Sequence, residues 1–266
     1  METKKHFTGK RFRAGIAMLA VTALFLTACS PSAANVHHVS DLEGRSIGVQ
    51  SGTTGDTLAG DIKDATVQEY TKAADGIRAL RQKKIDAVIV DLETANALAL
   101  QEDNLHILDE ELADEEYAIA IQLGNTQLRS KINEALRKLS DNGTLQQIKQ
   151  NYEGDEQGQH PYHSPNHVDR SNGVLVMATN AEFPPYEYYE NGNYVGFDID
   201  MMNAVCDYLG YELRIDNMDF DDVLTAVETG KADVGVAGLS VTPEREEHVL
   251  FSDTYATTHQ VIIVRK

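Results

Sequence analysis

Tryptophan is absent from the 266 residues, and cysteine occurs only twice, at Cys29 and Cys206. Two cysteines cannot staple a disulfide scaffold, so the fold must be held by a core of ordinary side chains. Basic residues are scarce as well: 23 Lys and Arg stand against 42 Asp and Glu, a formal net charge of −19. Lys4, Lys5, Lys10, Arg11 and Arg13 fall in the first 28 residues beside Glu2 alone, leaving 18 against 41, or −23, for the remainder. Nucleic acid and anionic membrane surfaces both need basic patches, so that excess of carboxylates excludes them as partners of the folded part. With 42% apolar and 7% aromatic residues the chain can bury a core, and its length allows one large domain or two lobes.

The N-terminus reads as a targeting segment. A basic stretch from Lys4 to Arg13 precedes an apolar run over 14–28, short for a spanning helix. The run closes on Leu26-Thr27-Ala28-Cys29, which resembles a bacterial lipobox. That resemblance implies a lipoprotein signal peptide at 1–28, lipidation of Cys29 and a tether at 29–35 holding the protein at a membrane face. The alternative is an ordinary signal peptide with an incidental cysteine. Cys206 shares a helical face with Ile199, Met202, Val205 and Leu209, which points to core packing rather than reactivity.

Strand-like and helical patterns alternate from residue 36 onward, an α/β signature. Strands are predicted at 46–50, 87–90, 117–121, 174–179, 212–217, 234–237 and 261–264. Helices are predicted at 77–82, 126–140, 145–152, 198–209 and 220–229, with Gly210 and Gly230 as C-terminal caps. Residues 153–173 lack periodicity and are rich in Gly, Pro, His, Asn and Ser, so they read as a linker. Its His160, His163 and His167 offer metal ligands, but a structureless segment seldom presets such geometry, and no metal is expected. Residues 77–91 align without gaps on 224–238, each copy a helix, a Lys-x-Asp turn and a buried strand. Two copies of one unit suggest two similar lobes, with Asp91 and Gly238, at the strand ends, facing a shared cleft.

Five segments, VLVMATNAEFPPYEY at 174–188, VGFDID at 195–200, GLSVTPER at 238–245, FSDTY at 251–255 and DLEGRSIGVQSGTTG at 41–55, resemble the polar amino-acid periplasmic solute-binding proteins of ABC importers, bacterial family 3. The resemblance implies a two-lobed periplasmic-binding-protein-like type II fold with a hinge of two crossing segments. It departs from the family in order: the segment at 41–55 normally follows the other four, so the chain resembles a circular permutant. The rival reading is a pair of fused half-domains pairing between chains. On the permuted reading 36–113 form lobe 2, with 260–266 returning to it. Residues 114–152 supply a hinge strand and helices of lobe 1, 153–172 a flexible linker, and 173–259 the rest of lobe 1 and the hinge. Crossovers are expected at 113–117 and 255–259.

A free amino acid presents a carboxylate, an ammonium and a side chain, so its site needs a planar cation, a buried anion and a shaped pocket. The resemblance assigns Arg245 to the carboxylate, assisted by backbone amides near Thr53, and Asp91 to the ammonium, assisted by Gly238 and Ser240. It makes Phe183 and Phe220 the aromatic walls. Asn180, Glu182 and Gln50 are candidates for side-chain selectivity, which points to a polar or basic amino acid. Each has a plainer alternative: Arg245 as a partner of Glu244 or Glu246, Asp91 as a helix cap, the phenylalanines as core. The implied function is capture of an amino acid for ABC permease subunits, periplasmic or at the cell surface, without a cofactor. Alternatives are an enzyme on this scaffold, with Glu182 as acid or base, and a ligand-sensing receptor subunit. No HExxH or Gly-rich phosphate loop supports the enzyme.

Overall fold

The computed structural model describes residues 36–99 and 103–266; Cys29 and the targeting segment lie outside them. In chain order the strands are β1 (Ser46–Gln50), β2 (Thr66–Tyr70), β3 (Ala87–Asp91), β4 (Leu105–Ile107), β5 (Ala113–Tyr117), β6 (Ala120–Gln122), β7 (Val174–Thr179), β8 (Glu182–Phe183), β9 (Glu187–Glu190), β10 (Asn193–Val195), β11 (Glu212–Asn217), β12 (Val234–Gly235), β13 (Val249–Phe251) and β14 (Ala256–Arg265). The helices are α1 (Thr54–Asp61), α2 (Ala73–Arg81), α3 (Leu92–Ala99), α4 (Thr126–Asp141), α5 (Thr144–Tyr152), α6 (Phe197–Leu209), α7 (Phe220–Glu228) and α8 (Pro243–Glu246). No described helix is long and apolar enough to cross a membrane.

Two mixed sheets organise these elements. One runs β2-β1-β3-β14-β4, with β5 pairing β14; the other runs β11-β7-β12-β6-β13. Each lobe draws on both ends of the chain: β14 completes the first sheet beside β3, and β6 enters the second between β12 and β13. The fold is therefore α/β with two lobes. The chain passes between sheets twice, at β5 to β6 and β13 to β14. The crossing strands pair antiparallel from Ala256 opposite Tyr117 to Gln260 opposite Ala113.

The predicted strand at 117–121 is two strands, because Ala118 donates to the Leu239 carbonyl and Ile119 to the Ser252 hydroxyl where the chain changes sheets. The predicted strand at 261–264 extends to Ala256–Arg265, since β5 offers its first half a partner. The strand at 234–237 shortens to Val234–Gly235.

The repeated unit is visible in hydrogen bonds. Asp86 accepts from the Ser46 amide at 3.1 Å, and Asp233 accepts from the Val176 amide at 2.8 Å. In both copies the turn aspartate thus holds a backbone amide in the first half of the neighbouring strand. Gly210 caps α6 at a φ of 75°, a conformation that glycine tolerates best. Cys206 packs in the core with Ile199, Met202 and Val205, and burial pushes its thiol up to about 12.

Residues 153–173 contain one short 3-10 turn, at Gly154–Glu156. They are pinned along α6: the Tyr162 hydroxyl and Arg170 both meet Asp207, and the Asn172 side chain donates to the Leu209 carbonyl at 2.7 Å. Among the described residues His160, His163 and His167 form no three-ligand cluster; His160 pairs with Glu156 at 3.1 Å.

Candidate ligand-binding site

The ends of β3 and β12, the start of α1 and the two crossing strands converge on one small cavity. Gln50, Thr53, Asp91, Phe183, Phe220, Gly238, Ser240 and Arg245 line it together with Thr54, Glu115, Tyr117 and Gln260. Its free volume is about 20 Å³, room for about one water, so a larger ligand needs the lobes to part. It adjoins an outer cavity of about 1120 Å³ that shares Thr53, Thr54, Glu115, Phe220, Ser240 and Arg245.

Arg245 sits in α8, a single turn started by the Thr242 side chain and Pro243. Its guanidinium donates to the Ser240 carbonyl at 2.9 Å and, from the other lobe, to the Gly52 carbonyl at 3.0 Å. The fork lies over the Phe220 ring, 5.7 Å from its centroid. Burial lowers the Arg245 pKa, opposed chiefly by the Glu115 charge. Thr53 caps α1 by accepting from the Asp56 amide, and its own hydroxyl donates to the Gln50 carbonyl.

Asp91 is fully buried. One of its oxygens accepts from the Thr94 amide at 3.0 Å, so the residue does cap α3, and the other accepts from the Tyr117 hydroxyl at 3.0 Å. Burial pushes its pKa up to about 6, the hydrogen bonds offsetting only part of the cost of an ion in low dielectric. Across the cavity Gly238 has a φ of 54°, and a Cβ there would sit 2.8 Å from the Phe183 ring. Only glycine lets this loop approach the aromatic wall so closely. The loop is fixed by Asp198, which accepts from the Gly238 amide at 3.1 Å and the Tyr255 hydroxyl at 2.9 Å. Burial raises Asp198 to about 6 and pushes the neighbouring Glu187 well above its usual value, the Asp198 charge adding to the effect.

Two candidates lie behind the wall rather than in it. Asn180 accepts from the Gln50 side chain at 3.0 Å and donates to the Met218 carbonyl at 2.8 Å. Glu182 is paired with Lys72 of the other lobe at 2.6 Å. Both contacts bridge the lobes, as does Ser51 to Asp221 at 2.8 Å.

Sequence reasoning passed over Glu115, Tyr117, Thr54 and Gln260. Glu115 is 5% exposed and accepts from Ser240 at 2.8 Å, Gln260 at 2.7 Å, Tyr117 at 3.4 Å and the Thr54 hydroxyl. The available signal was the period-2 spacing of Glu115 and Tyr117, which puts both on one face of a strand.

Residues 175–266 match the family described as bacterial extracellular solute-binding proteins, family 3. The arginine-binding extracellular protein ArtP of Bacillus subtilis (strain 168) is 39% identical over 92 residues, 35% of this chain and 36% of that protein. A probable histidine-binding protein of Neisseria gonorrhoeae is 35% identical over 94 residues, 35% of each chain. The chain thus spans about a third of the length of these curated relatives. The solved arginine-bound form of domain 1 from TmArgBP is 37% identical over 38% of this chain and 87% of that one, with a TM-score of 0.32. The matched segment carries Phe183, Phe220, Gly238, Ser240 and Arg245, whereas Asp91, Thr53, Gln50 and Glu115 lie outside it. Over residues 175–266, about a third of its length, the chain is similar to the bacterial extracellular solute-binding proteins, family 3.

Proposed function

We propose that the protein captures a polar amino acid of the basic class outside the cytoplasm and delivers it to the membrane subunits of an ABC import system. One observation carries the reading: a planar cation, Arg245, and a buried anion, Asp91, stand on different lobes and line a single cavity. Arg245 would exchange its two carbonyl partners for the ligand carboxylate, a bidentate geometry a guanidinium matches. Asp91 would receive the α-ammonium with the Gly238 carbonyl and Ser240, while Phe183 and Phe220 flank the aliphatic part. Thr53 and its neighbouring amides at the start of α1 favour the same carboxylate. The names of these relatives, arginine-binding and histidine-binding, agree with a basic ligand.

The two antiparallel crossing strands suit hinge closure, with Lys72–Glu182, Gln50–Asn180 and Ser51–Asp221 made as the lobes meet. The rest of the sequence reading belongs to the same proposal. A circularly permuted order accounts for the recruitment of β6 and β14 from chain halves opposite to those of their sheet neighbours, and the segment at 153–172 joins what the family keeps as two ends. Lipidation at Cys29 would hold the protein at the membrane. The enzyme alternative lacks its candidate acid or base at the cavity, because Glu182 does not line it and pairs with Lys72 instead.

Calorimetric titration of the purified chain with an amino-acid panel, beside a turnover assay on any ligand found, tests the reading. Stoichiometric binding without turnover supports it, and turnover of the bound ligand refutes it.

A further inference from the structure

We propose that Glu115 sets ligand specificity by charge: it gives the closed cleft a surplus buried anion that only a ligand of net positive charge neutralises. The inference rests on the amino-acid-binding reading above and extends it to a residue outside the matched segment.

The inner cavity holds three charged side chains, Arg245, Asp91 and Glu115. A zwitterionic amino acid uses the first two, its carboxylate on Arg245 and its ammonium on Asp91. Arg245 feels the Glu115 charge too, but one cation stands against two carboxylates, so one negative charge is left over. All four hydrogen-bond partners of Glu115, namely Thr54, Ser240, Gln260 and Tyr117, are neutral. These donors solvate the carboxylate without cancelling its charge. Closure around a neutral side chain therefore buries one uncompensated negative charge, whereas closure around a cationic side chain buries none.

The placement supports the same conclusion. Glu115 lines both cavities and so stands at their junction, within reach of a side chain directed outward from Arg245 and Asp91. The outer cavity adds Asp56, Asp114, Glu116, Asp221, Glu228 and Glu244 against His248 as its one further basic lining residue. Those outer groups raise the local concentration of cations and are screened by salt, while Glu115, 5% exposed, is not. Rejection of neutral ligands by an unpaired buried charge is a recognised source of specificity.

The test is calorimetric titration of the full chain with L-arginine and with L-citrulline, which has the same shape and an uncharged ureido group. The wild-type protein is expected to prefer arginine by roughly a hundredfold or more. Glu115→Gln should cut that ratio at least tenfold, mainly through arginine, and Glu115→Asp should keep most of it. Wild-type titrations with arginine, citrulline and glutamate should rank in that order, a measurement that stands even if Glu115→Gln does not fold. An unchanged ratio in folded Glu115→Gln overturns the proposal. So does an equal gain or loss for both ligands, which would make Glu115 a latch on closure. If the wild type binds amino acids but takes citrulline as well as arginine, charge selection fails alone. If it binds none, the parent reading fails with it.

Discussion

Removing the buried charge of Asp91 should make the ligand-free protein more stable while disabling it. Folding raises the Asp91 pKa from the usual 3.8 to about 6. At about 1.36 kcal/mol per pH unit, the ionised form costs the folded state on the order of 3 kcal/mol at neutral pH. The folded state therefore binds the proton more tightly, so the penalty is absent below roughly pH 4, grows up to about pH 6 and stays constant above it. In Asp91→Asn the amide oxygen can keep the Thr94 cap and the amide nitrogen can face the Tyr117 hydroxyl, so both hydrogen bonds have replacements. Allowing for relaxation around the site, we expect a net gain of about 1–2 kcal/mol at pH 7, or roughly 2–8 °C in Tm. Scanning calorimetry of both proteins from pH 4.5 to 8 reads this directly, since the contribution of Asp198 cancels in the difference. Titration should meanwhile show amino acids losing affinity far more than des-amino analogues of the same side chain, which never engage Asp91. A loss of stability above about 1 kcal/mol at pH 7, or a gap that ignores pH, would refute the argument from burial.

Other consequences are simpler to state. Arg245→Ala should weaken binding by ~2–5 kcal/mol, roughly 30- to several-thousand-fold, and Arg245→Lys should recover only part, because an ammonium lacks the planar fork; titration checks both. Deleting residues 261–266 strips the C-terminal half of β14 from between β3 and β4 and exposes the buried Val88 and Ile89 that pair with it, so thermal unfolding should move down sharply; an unchanged transition would remove that half of β14 from lobe 2. Cys29→Ser is expected to shift the protein out of the detergent phase in a partitioning assay, and unchanged partitioning would dismiss lipidation.

Much of this molecule was legible before its structure, and the illegible parts share a cause. The repeat at 77–91 and 224–238 placed Asp91 and Gly238 at equivalent positions, and both line the cavity, although β12 stops at Gly235 and leaves Gly238 in the loop beyond it. Local pattern was enough, since a helix, a turn and a buried strand follow from neighbouring residues. Asn180 and Glu182 went the other way. Their partners, Gln50 and Lys72, lie more than a hundred positions away in the other lobe, and nothing in either segment announces the pairing. Glu115 escaped notice because its segment, ADEEY, is acidic and reads as a solvated crossing strand. Its burial depends on Thr54, Ser240 and Gln260 arriving from three other elements. The break after Tyr117 is equally non-local, being set by Leu239 and Ser252 of lobe 1.

The most direct test of the whole account is titration of the purified protein with the twenty amino acids, with Arg245→Ala in parallel. The account predicts one-to-one binding of at least one basic amino acid by the wild type, lost or weakened at least thirtyfold in Arg245→Ala. Binding by neither protein, or equal binding by both, would contradict it.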